Sequence, residues 1–217
     1  MELNILGGAV EVERRWSRRE MVRTLLAGAG ASAGWPLVSA GHPILGHFGN
    51  GALLDESDAA LAEENWKPIF LSAEQNELLV ALAEAIVPGS TAAWVNRFID
   101  LLLSVDDGET QRKFLVSLGV MDKEAQARFG ARFPFLSSAQ KGEMLDAVSK
   151  EDEKKMTSSE EEKPTKEATT SHEHFEHLKE WIAGAYYSSE LGMKELGWTP
   201  DRVFGSFPGC EHAEEHN

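Results

Sequence analysis

Cysteine and basic side chains are scarce in this chain of 217 residues. Its single cysteine, Cys210, excludes an internal disulfide framework, a cysteine-rich zinc site and a cysteine-ligated iron–sulfur cluster. Lysine and arginine number 21 against 36 aspartate and glutamate residues, which gives a formal net charge of −15. Because nucleic-acid binding depends on clustered basic side chains, this acidic chain is a poor candidate for that function. No uncharged apolar run reaches the roughly 18 residues of a membrane-spanning helix.

The first forty residues (1–40) have the organisation of an export leader. Basic residues at 14–23 (RRWSRREMVR) precede an uncharged stretch, 24–40, that is rich in Gly and Ala. Val38-Ser39-Ala40 fits a small-x-small cleavage site, so we expect cleavage between Ala40 and Gly41. The sequence Ser17-Arg18-Arg19-Glu20-Met21 resembles the twin-arginine consensus, which generally exports proteins that are already folded. The alternative is a basic amphipathic helix that belongs to the folded domain.

The remaining residues predict an all-α body, a small bundle of five or six helices with an extended N-terminal arm (41–70) and an extended C-terminal tail (199–217). Capping boxes at Ser72–Gln75 and Ser137–Gln140 open two helices, and Ser171 is expected to cap another. The second helix is expected to begin near Thr91. Apolar residues recur at spacings of three and four, which is typical of amphipathic helices around a shared core. The predicted inward faces are Leu78, Leu79, Leu82, Ala85 and Ile86; Val95, Phe98, Ile99 and Leu102; Phe114, Leu115, Leu118 and Met121; Met144, Leu145 and Val148; and Phe175, Leu178, Ile182 and Ala185.

A polar insert at 150–171 divides the helical body into two parts, 71–149 and 172–198. Its only apolar residues are Met156 and Ala168. Such a stretch buries too little apolar surface to offset the entropy of ordering, so the sequence predicts a disordered loop.

Three histidines, His172, His174 and His177, begin the last long predicted helix. A metalloprotease helix reads H-E-x-x-H, and here Glu176 replaces the second histidine after His172. His174 and His177 could still share a metal ion with a nearby carboxylate, and the alternative function is an independent periplasmic metal-binding protein or hydrolase. The simpler interpretation is a solvated helix start, so we expect no metal site.

Catalysis by other groups finds little support in the sequence. There is no G-x-S-x-G elbow and no phosphate-binding loop. Glu84 and Asp100 fall near apolar helix faces, where burial could raise the pKa of a carboxyl group. An acid in such a place more often caps or pairs with a neighbouring element. We therefore expect no catalytic residue and no cofactor-binding residue in this chain.

The stretch at 184–192 (GAYYSSELG) contains both tyrosines of the chain and lies between two tryptophans, Trp181 and Trp198. Tyrosine and tryptophan are favoured in protein interfaces, so this stretch predicts a partner surface; the alternative is that these side chains fill the core. The predicted interface residues are Trp181, Tyr186, Tyr187, Ser189, Glu190, Gly192 and Phe207. Since an odd cysteine in an exported protein often pairs with a partner, Cys210 is a candidate for an intersubunit disulfide or a free thiol.

Four segments together resemble the gluconate 2-dehydrogenase subunit 3 family. They are the twin-arginine leader, the helix ending Ala85-Ile86-Val87-Pro88 with the following 95–100 segment, the block Ala185-Tyr186-Tyr187-Ser188-Ser189-Glu190-x-Gly192, and the ending Phe207-Pro208-Gly209-Cys210. The resemblance implies a non-catalytic small subunit that binds, stabilises and escorts a large FAD-dependent subunit of the glucose–methanol–choline type through the twin-arginine translocase. The large subunit would oxidise a sugar, glucoside or polyol, often with a multi-haem c-type cytochrome as electron acceptor. The expected location is the periplasm, with membrane association only through partners.

Overall fold

A computed structural model describes residues 43–44, 47, 60–150 and 169–197. Within these residues the structure has six α-helices and no strand, which confirms the all-α prediction. The helices are α1 (Ala73–Ile86), α2 (Val95–Val105), α3 (Gly108–Phe129), α4 (Ser138–Ser149), α5 (Ser171–Tyr187) and α6 (Glu190–Glu195), with a 3₁₀ turn, Phe133–Phe135, between α3 and α4. None of the helices described is both long and apolar enough to cross a membrane.

Several predictions concern residues outside these ranges. They are the leader with Ser17, Arg18, Arg19 and Met21, the cleavage site at Ala40 and Gly41, the insert from 151 to 168, and the tail with Phe207 and Cys210. These remain predictions from the sequence.

Capping side chains fix where the helices begin. Both predicted capping boxes, at Ser72 and Ser137, are present with reciprocal hydrogen bonds. The cap of α5 is Thr170 and not the predicted Ser171. Glu173 lies three residues after Thr170 and accepts a 2.7 Å hydrogen bond from its amide, so it completes a capping box that Ser171 cannot form.

Helix α2 begins at Val95, four residues later than predicted. The preceding residues form a turn in which the carboxylate of Glu84 accepts hydrogen bonds from the amides of Gly89 (2.8 Å) and Thr91 (2.9 Å). At the end of this turn Trp94 adopts a left-handed backbone conformation with φ of 55°. A right-handed helix requires a negative φ at every residue, so α2 cannot extend back through Trp94.

Helix α5 packs against each of the other five helices and forms the centre of the body. The predicted inward faces are largely confirmed, with Phe98, Phe114 and Ile182 fully buried. Ala85 is an exception, because it is exposed while Ala83 is buried. Ala85 lies at the edge of the helix face that the buried residues of α1 form, so it falls just outside the core.

The described residues of the predicted arm pack onto the body. Ile44 and Leu61 belong to the hydrophobic core and Phe70 packs against it, so these parts of 41–70 are not a free extension. Asp100, itself buried, accepts hydrogen bonds from the three consecutive amides of residues 69–71, at 2.7, 3.1 and 2.7 Å. These bonds join the end of the arm to α2.

A second attachment of the arm involves Arg97 on α2. Its guanidinium group lies between the rings of Trp66 and Trp94, 5.1 and 5.6 Å from their centroids. It also donates hydrogen bonds to the backbone carbonyl groups of Leu61 and Glu63. Stacking on aromatic faces and bonding to carbonyl groups suit the planar arginine side chain better than lysine.

Candidate functional site

The histidines of the predicted cluster face different neighbours. His172 Nδ1 donates a 3.1 Å hydrogen bond to the carbonyl oxygen of Val148 near the end of α4. His174 Nδ1 lies 2.9 Å from the hydroxyl of Ser117 on α3. Burial is the main cause that lowers the pKa of His174 below its ordinary value. Both side chains therefore link α5 to adjacent helices.

His177 is more deeply buried than a solvated helix start would allow. Burial lowers its pKa to about 4, and the positive charge of Lys113 and the neighbouring His174 contribute to the same shift. Its Nε2 atom is buried and has no hydrogen-bond partner among the residues described. The imidazole is therefore neutral over the physiological pH range.

The structure does not bring the three histidines to a common point. Within the described ranges, no three His, Cys, Asp or Glu side chains are placed to hold a metal ion. The geometry consequently lends no support to the metal-binding alternative.

A cleft of about 430 Å³ lies between the end of α2, the first turns of α3, and α5. It is lined by Pro43, His47, Asp106, Thr110, Lys113, His177 and Glu180. His47 and Asp106, which are 59 positions apart, form a hydrogen bond in its lining, with Nε2 and Oδ2 separated by 3.1 Å. Sequence reasoning did not find this cleft, because its lining comes from four separate segments without a common motif.

Part of the predicted partner surface lies in the hydrophobic core. Trp181 is fully buried and contacts Phe114 edge to face, with 5.5 Å between the ring centroids. Tyr186, Ser189 and Gly192 are also buried. The expectation of an aromatic surface therefore needs correction at these positions, and the alternative that they fill the domain is the correct one.

The α5–α6 corner explains why these residues are buried. Ser189 caps α6 by accepting a 3.1 Å hydrogen bond from the amide of Gly192. A β-carbon on Gly192 would lie 2.8 Å from the Cα of Tyr187, closer than a β-carbon normally approaches another heavy atom. The ring of Tyr186 packs against Gly89, and burial, followed by a hydrogen bond with Glu195, raises the pKa of its hydroxyl.

Tyr187 and Glu190 remain partly exposed at this corner and stay candidates for partner contact. Two large apolar side chains on or just after α6, Leu191 and Leu196, are 43% and 42% exposed. Other large apolar side chains that are exposed within the described residues are Ile69, Val105, Val116 and Phe135. Exposed apolar side chains that lie next to one another can mark a contact with a partner, whereas single ones are common on any protein surface.

The two carboxylates singled out from the sequence have structural roles. Asp100 accepts hydrogen bonds from the three backbone amides that precede the cap of α1. The amides of Gly89 and Thr91 lower the pKa of Glu84, because their hydrogen bonds favour the ionised carboxylate. Neither residue lies in the cleft.

The sequence region that contains the six described helices matches a known protein family. The family model described as Gluconate 2-dehydrogenase subunit 3 matches residues 73–205, more than half of the chain, and the match begins at the first residue of α1 and includes α6. The chain belongs to the gluconate 2-dehydrogenase subunit 3 family. No curated protein and no solved structure matched it.

Membership of the gluconate 2-dehydrogenase subunit 3 family confirms the resemblance found in the sequence. It associates the chain with a dehydrogenase complex, which is consistent with an accessory role. The matched region includes the whole α5–α6 corner, where Tyr186 and Gly192 pack together. Those residues therefore contribute to the fold of this family member.

Proposed function

We propose that this chain is the non-catalytic small subunit that binds and stabilises a large FAD-dependent dehydrogenase subunit of the glucose–methanol–choline type. The observation that carries the proposal is the family match over all six helices. In this proposal the large subunit holds the FAD and oxidises a sugar, glucoside or polyol. A multi-haem c-type cytochrome would accept the electrons as a third component.

The small subunit also escorts its partner through twin-arginine export into the periplasm. Support comes from Ser17-Arg18-Arg19-Glu20-Met21, followed by an uncharged stretch and a cleavage site at Ala40-Gly41. Since the twin-arginine route generally carries folded proteins, a single leader on the small subunit can export both chains of a complex assembled in the cytoplasm.

We place the contact with the large subunit at the exposed side of the α5–α6 corner, around Tyr187, Glu190, Leu191 and Leu196. Partly exposed tyrosine and leucine side chains can be desolvated on binding without rearranging the core. Cys210 follows in the sequence and is the proposed site of a disulfide with the partner. Electrophoresis of the complex without reductant tests this bond, since an unchanged band pattern on adding reductant contradicts it.

The test of the proposal is purification of the C-terminally tagged chain from the periplasm of its native host. We expect the eluate to show a flavin absorption spectrum and a second, larger polypeptide. A colourless single polypeptide would contradict the proposal. The double variant Leu191→Asp and Leu196→Asp is expected to lose the flavin, whereas Val116→Asp on α3 is the matched control and should retain it.

A further inference from the structure

Two polar side chains of α5 place a nitrogen atom in the interior without a hydrogen-bond partner. Within the residues that the structure describes, these buried atoms are Nε2 of His177 and Nε1 of Trp181. Most buried polar groups in folded proteins are hydrogen-bonded, either to other protein groups or to ordered water. Two unpartnered nitrogens on one helix therefore point to a small molecule that binds them.

The two nitrogens lie on the same side of α5. His177 and Trp181 are four positions apart, so their side chains are neighbours on the helix surface, with β-carbons about 5–6 Å apart. The ring of Trp181 contacts Phe114 on α3 edge to face. After burial, the nearby positive charge of Lys113, also on α3, is the next cause that lowers the pKa of His177. Both side chains are therefore at the contact between α3 and α5.

The neighbouring polar side chains at this contact already have partners. His174 Nδ1, on the preceding turn of α5, lies 2.9 Å from Oγ of Ser117. The same hydroxyl donates a 3.0 Å hydrogen bond to the carbonyl oxygen of Lys113. Neither His174 nor Ser117 bonds to His177 or Trp181, so these groups leave the two nitrogens to another molecule.

The cleft between α2, α3 and α5 gives access to this place. His177 lines the cleft, whereas its Nε2 atom is buried, so the imidazole borders the cleft and also reaches the interior. Trp181 is 0% exposed, so the bound molecule has to be small. A water molecule requires a polar site that offers two or more partners, and His177 and Trp181 offer two.

We propose that a single internal water molecule binds between His177 Nε2 and Trp181 Nε1. The indole N–H is a donor only, so the water oxygen accepts its hydrogen bond. The water in turn donates to Nε2 of neutral His177, which carries its own proton on Nδ1. With the proton on Nε2 instead, neither hydrogen of the water would find an acceptor in this pair. The inference concerns the helical body alone and needs neither the large subunit nor the flavin.

The experiment is NMR spectroscopy of the purified, ¹⁵N-labelled full-length chain. We expect direct magnetisation transfer from water to the indole N–H proton of Trp181, which rotating-frame spectra distinguish from proton exchange by its sign. Trp94, whose side chain is partly exposed, is the internal control for contact with bulk solvent. Long-range ¹⁵N correlations of the imidazole ring should place the proton of His177 on Nδ1 at pH 7.

Variants test whether the two nitrogens hold the same molecule. His177→Leu removes one of the two partners and should abolish the water contact at Trp181. His172→Ala is the matched control, because it removes a histidine of α5 that bonds instead to Val148 on α4, and it should retain the contact. Thermal unfolding shows whether each variant remains folded.

Three results would each overturn the proposal. They are the absence of a water contact at Trp181 in the unchanged chain, persistence of that contact in folded His177→Leu, and a proton on Nε2 of His177. The first and third are measured on the unchanged chain, so the proposal can be tested even where a variant does not fold. Because no partner is present in the sample, these results are separate from failure of the flavin test.

Discussion

Gly192 and Tyr186 are in contact through their backbones: a β-carbon on Gly192 would overlap the carbonyl oxygen of Tyr186. Only two residues, Ser188 and Ser189, separate α5 from α6. Only glycine permits α6 to return this closely to the end of α5.

We expect Gly192→Ala to lower the free energy of unfolding by about 1–3 kcal/mol, because the added carbon forces the two backbones apart. Gly119→Ala on α3 and Gly142→Ala on α4 are controls in which the added carbon meets no neighbour within 4 Å. Each control should raise stability by up to about 1 kcal/mol, because alanine favours a helix interior over glycine. Urea denaturation measures all three variants. A Gly192→Ala variant as stable as these controls would contradict the close contact.

The buried carboxylate of Asp100 gives a second prediction. Asp100→Asn leaves the amides of residues 69–71 with fewer acceptors and no negative charge, so we expect stability to fall by about 2–3 kcal/mol. Hydrogen exchange of these amides should also become faster. Asp146→Asn is the control, because Asp146 pairs with Lys150 on the surface and should change stability by less than about 0.5 kcal/mol. Equal stability of the two variants would mean that Asp100 does not anchor this segment.

A third prediction concerns pH. The folded chain lowers the pKa of His177 to about 4, below the ordinary value of 6.5, so the unfolded chain binds a proton more readily between these values. The contribution of neutral His177 to the free energy of unfolding is therefore expected to be fully present above pH 6.5. It should decrease as the pH falls toward 4, by about 1–2 kcal/mol after allowing for solvent screening. His174, whose pKa is also lowered, adds to the same decrease.

Thermal unfolding between pH 7 and pH 5 measures this effect. The carboxylates of Glu84 and Asp107, whose pKa values are lowered, lose their contribution only at more acidic pH. His177→Leu should flatten the decrease, whereas His47→Leu leaves His177 to titrate and should preserve most of it. A slope that is identical in the unchanged chain and in His177→Leu would rule out this histidine as the cause.

The two tyrosines should separate folding from assembly. Tyr186 is 6% exposed, so Tyr186→Ala is expected to destabilise the isolated chain by about 3 kcal/mol. Tyr187 is partly exposed and contacts the ring of Tyr186, so Tyr187→Ala should cost only about 1 kcal/mol of stability while it reduces the flavin that is purified with the chain. The measurements are the melting temperature and the flavin-to-protein ratio. Full flavin content in Tyr187→Ala would remove this residue from the proposed interface.

The leader supplies the last prediction. Arg18→Lys together with Arg19→Lys preserves the charge of the basic region but alters the paired arginines. We expect both this chain and its large partner to remain in the cytoplasm. Immunoblots of periplasmic and cytoplasmic fractions measure the distribution. Normal export of the partner with the double variant would contradict the escort role, and Arg14→Lys serves as the control outside the paired arginines.

Helix starts could be predicted where capping depends on neighbouring residues alone. Ser72 and Ser137 each have glutamine three positions later, and both predicted capping boxes are present. The start of α2 could not be found in this way, because it is set by the left-handed Trp94 and by the hydrogen bonds of Glu84 to the preceding turn. This turn is held by the side chain of Glu84 from α1, so the residues next to the start of α2 do not by themselves determine it.

Burial of aromatic residues was harder to predict than helix formation. Trp181 and Tyr187 lie on the same helix and are only six positions apart, yet one is fully buried and the other is partly exposed. Positions six apart lie on different sides of a helix, and because α5 contacts all five other helices, the sequence alone does not show which side stays exposed. The cleft at His47 and Asp106 likewise depends on contacts between distant segments, which helical periodicity does not contain.

The hydrogen bond between His172 Nδ1 and the carbonyl oxygen of Val148, 3.1 Å long, also has a topological consequence. It brings together residues that are 24 positions apart, so the end of α4 and the start of α5 lie close together. Because these two ends lie close together, we expect a change in the number of residues between them to have little effect on stability; in general, doubling the length of a loop costs only about 0.6 kcal/mol of closure entropy. A fluorescent domain inserted there, or new chain ends opened there by circular permutation, should leave the arrangement of the six helices intact.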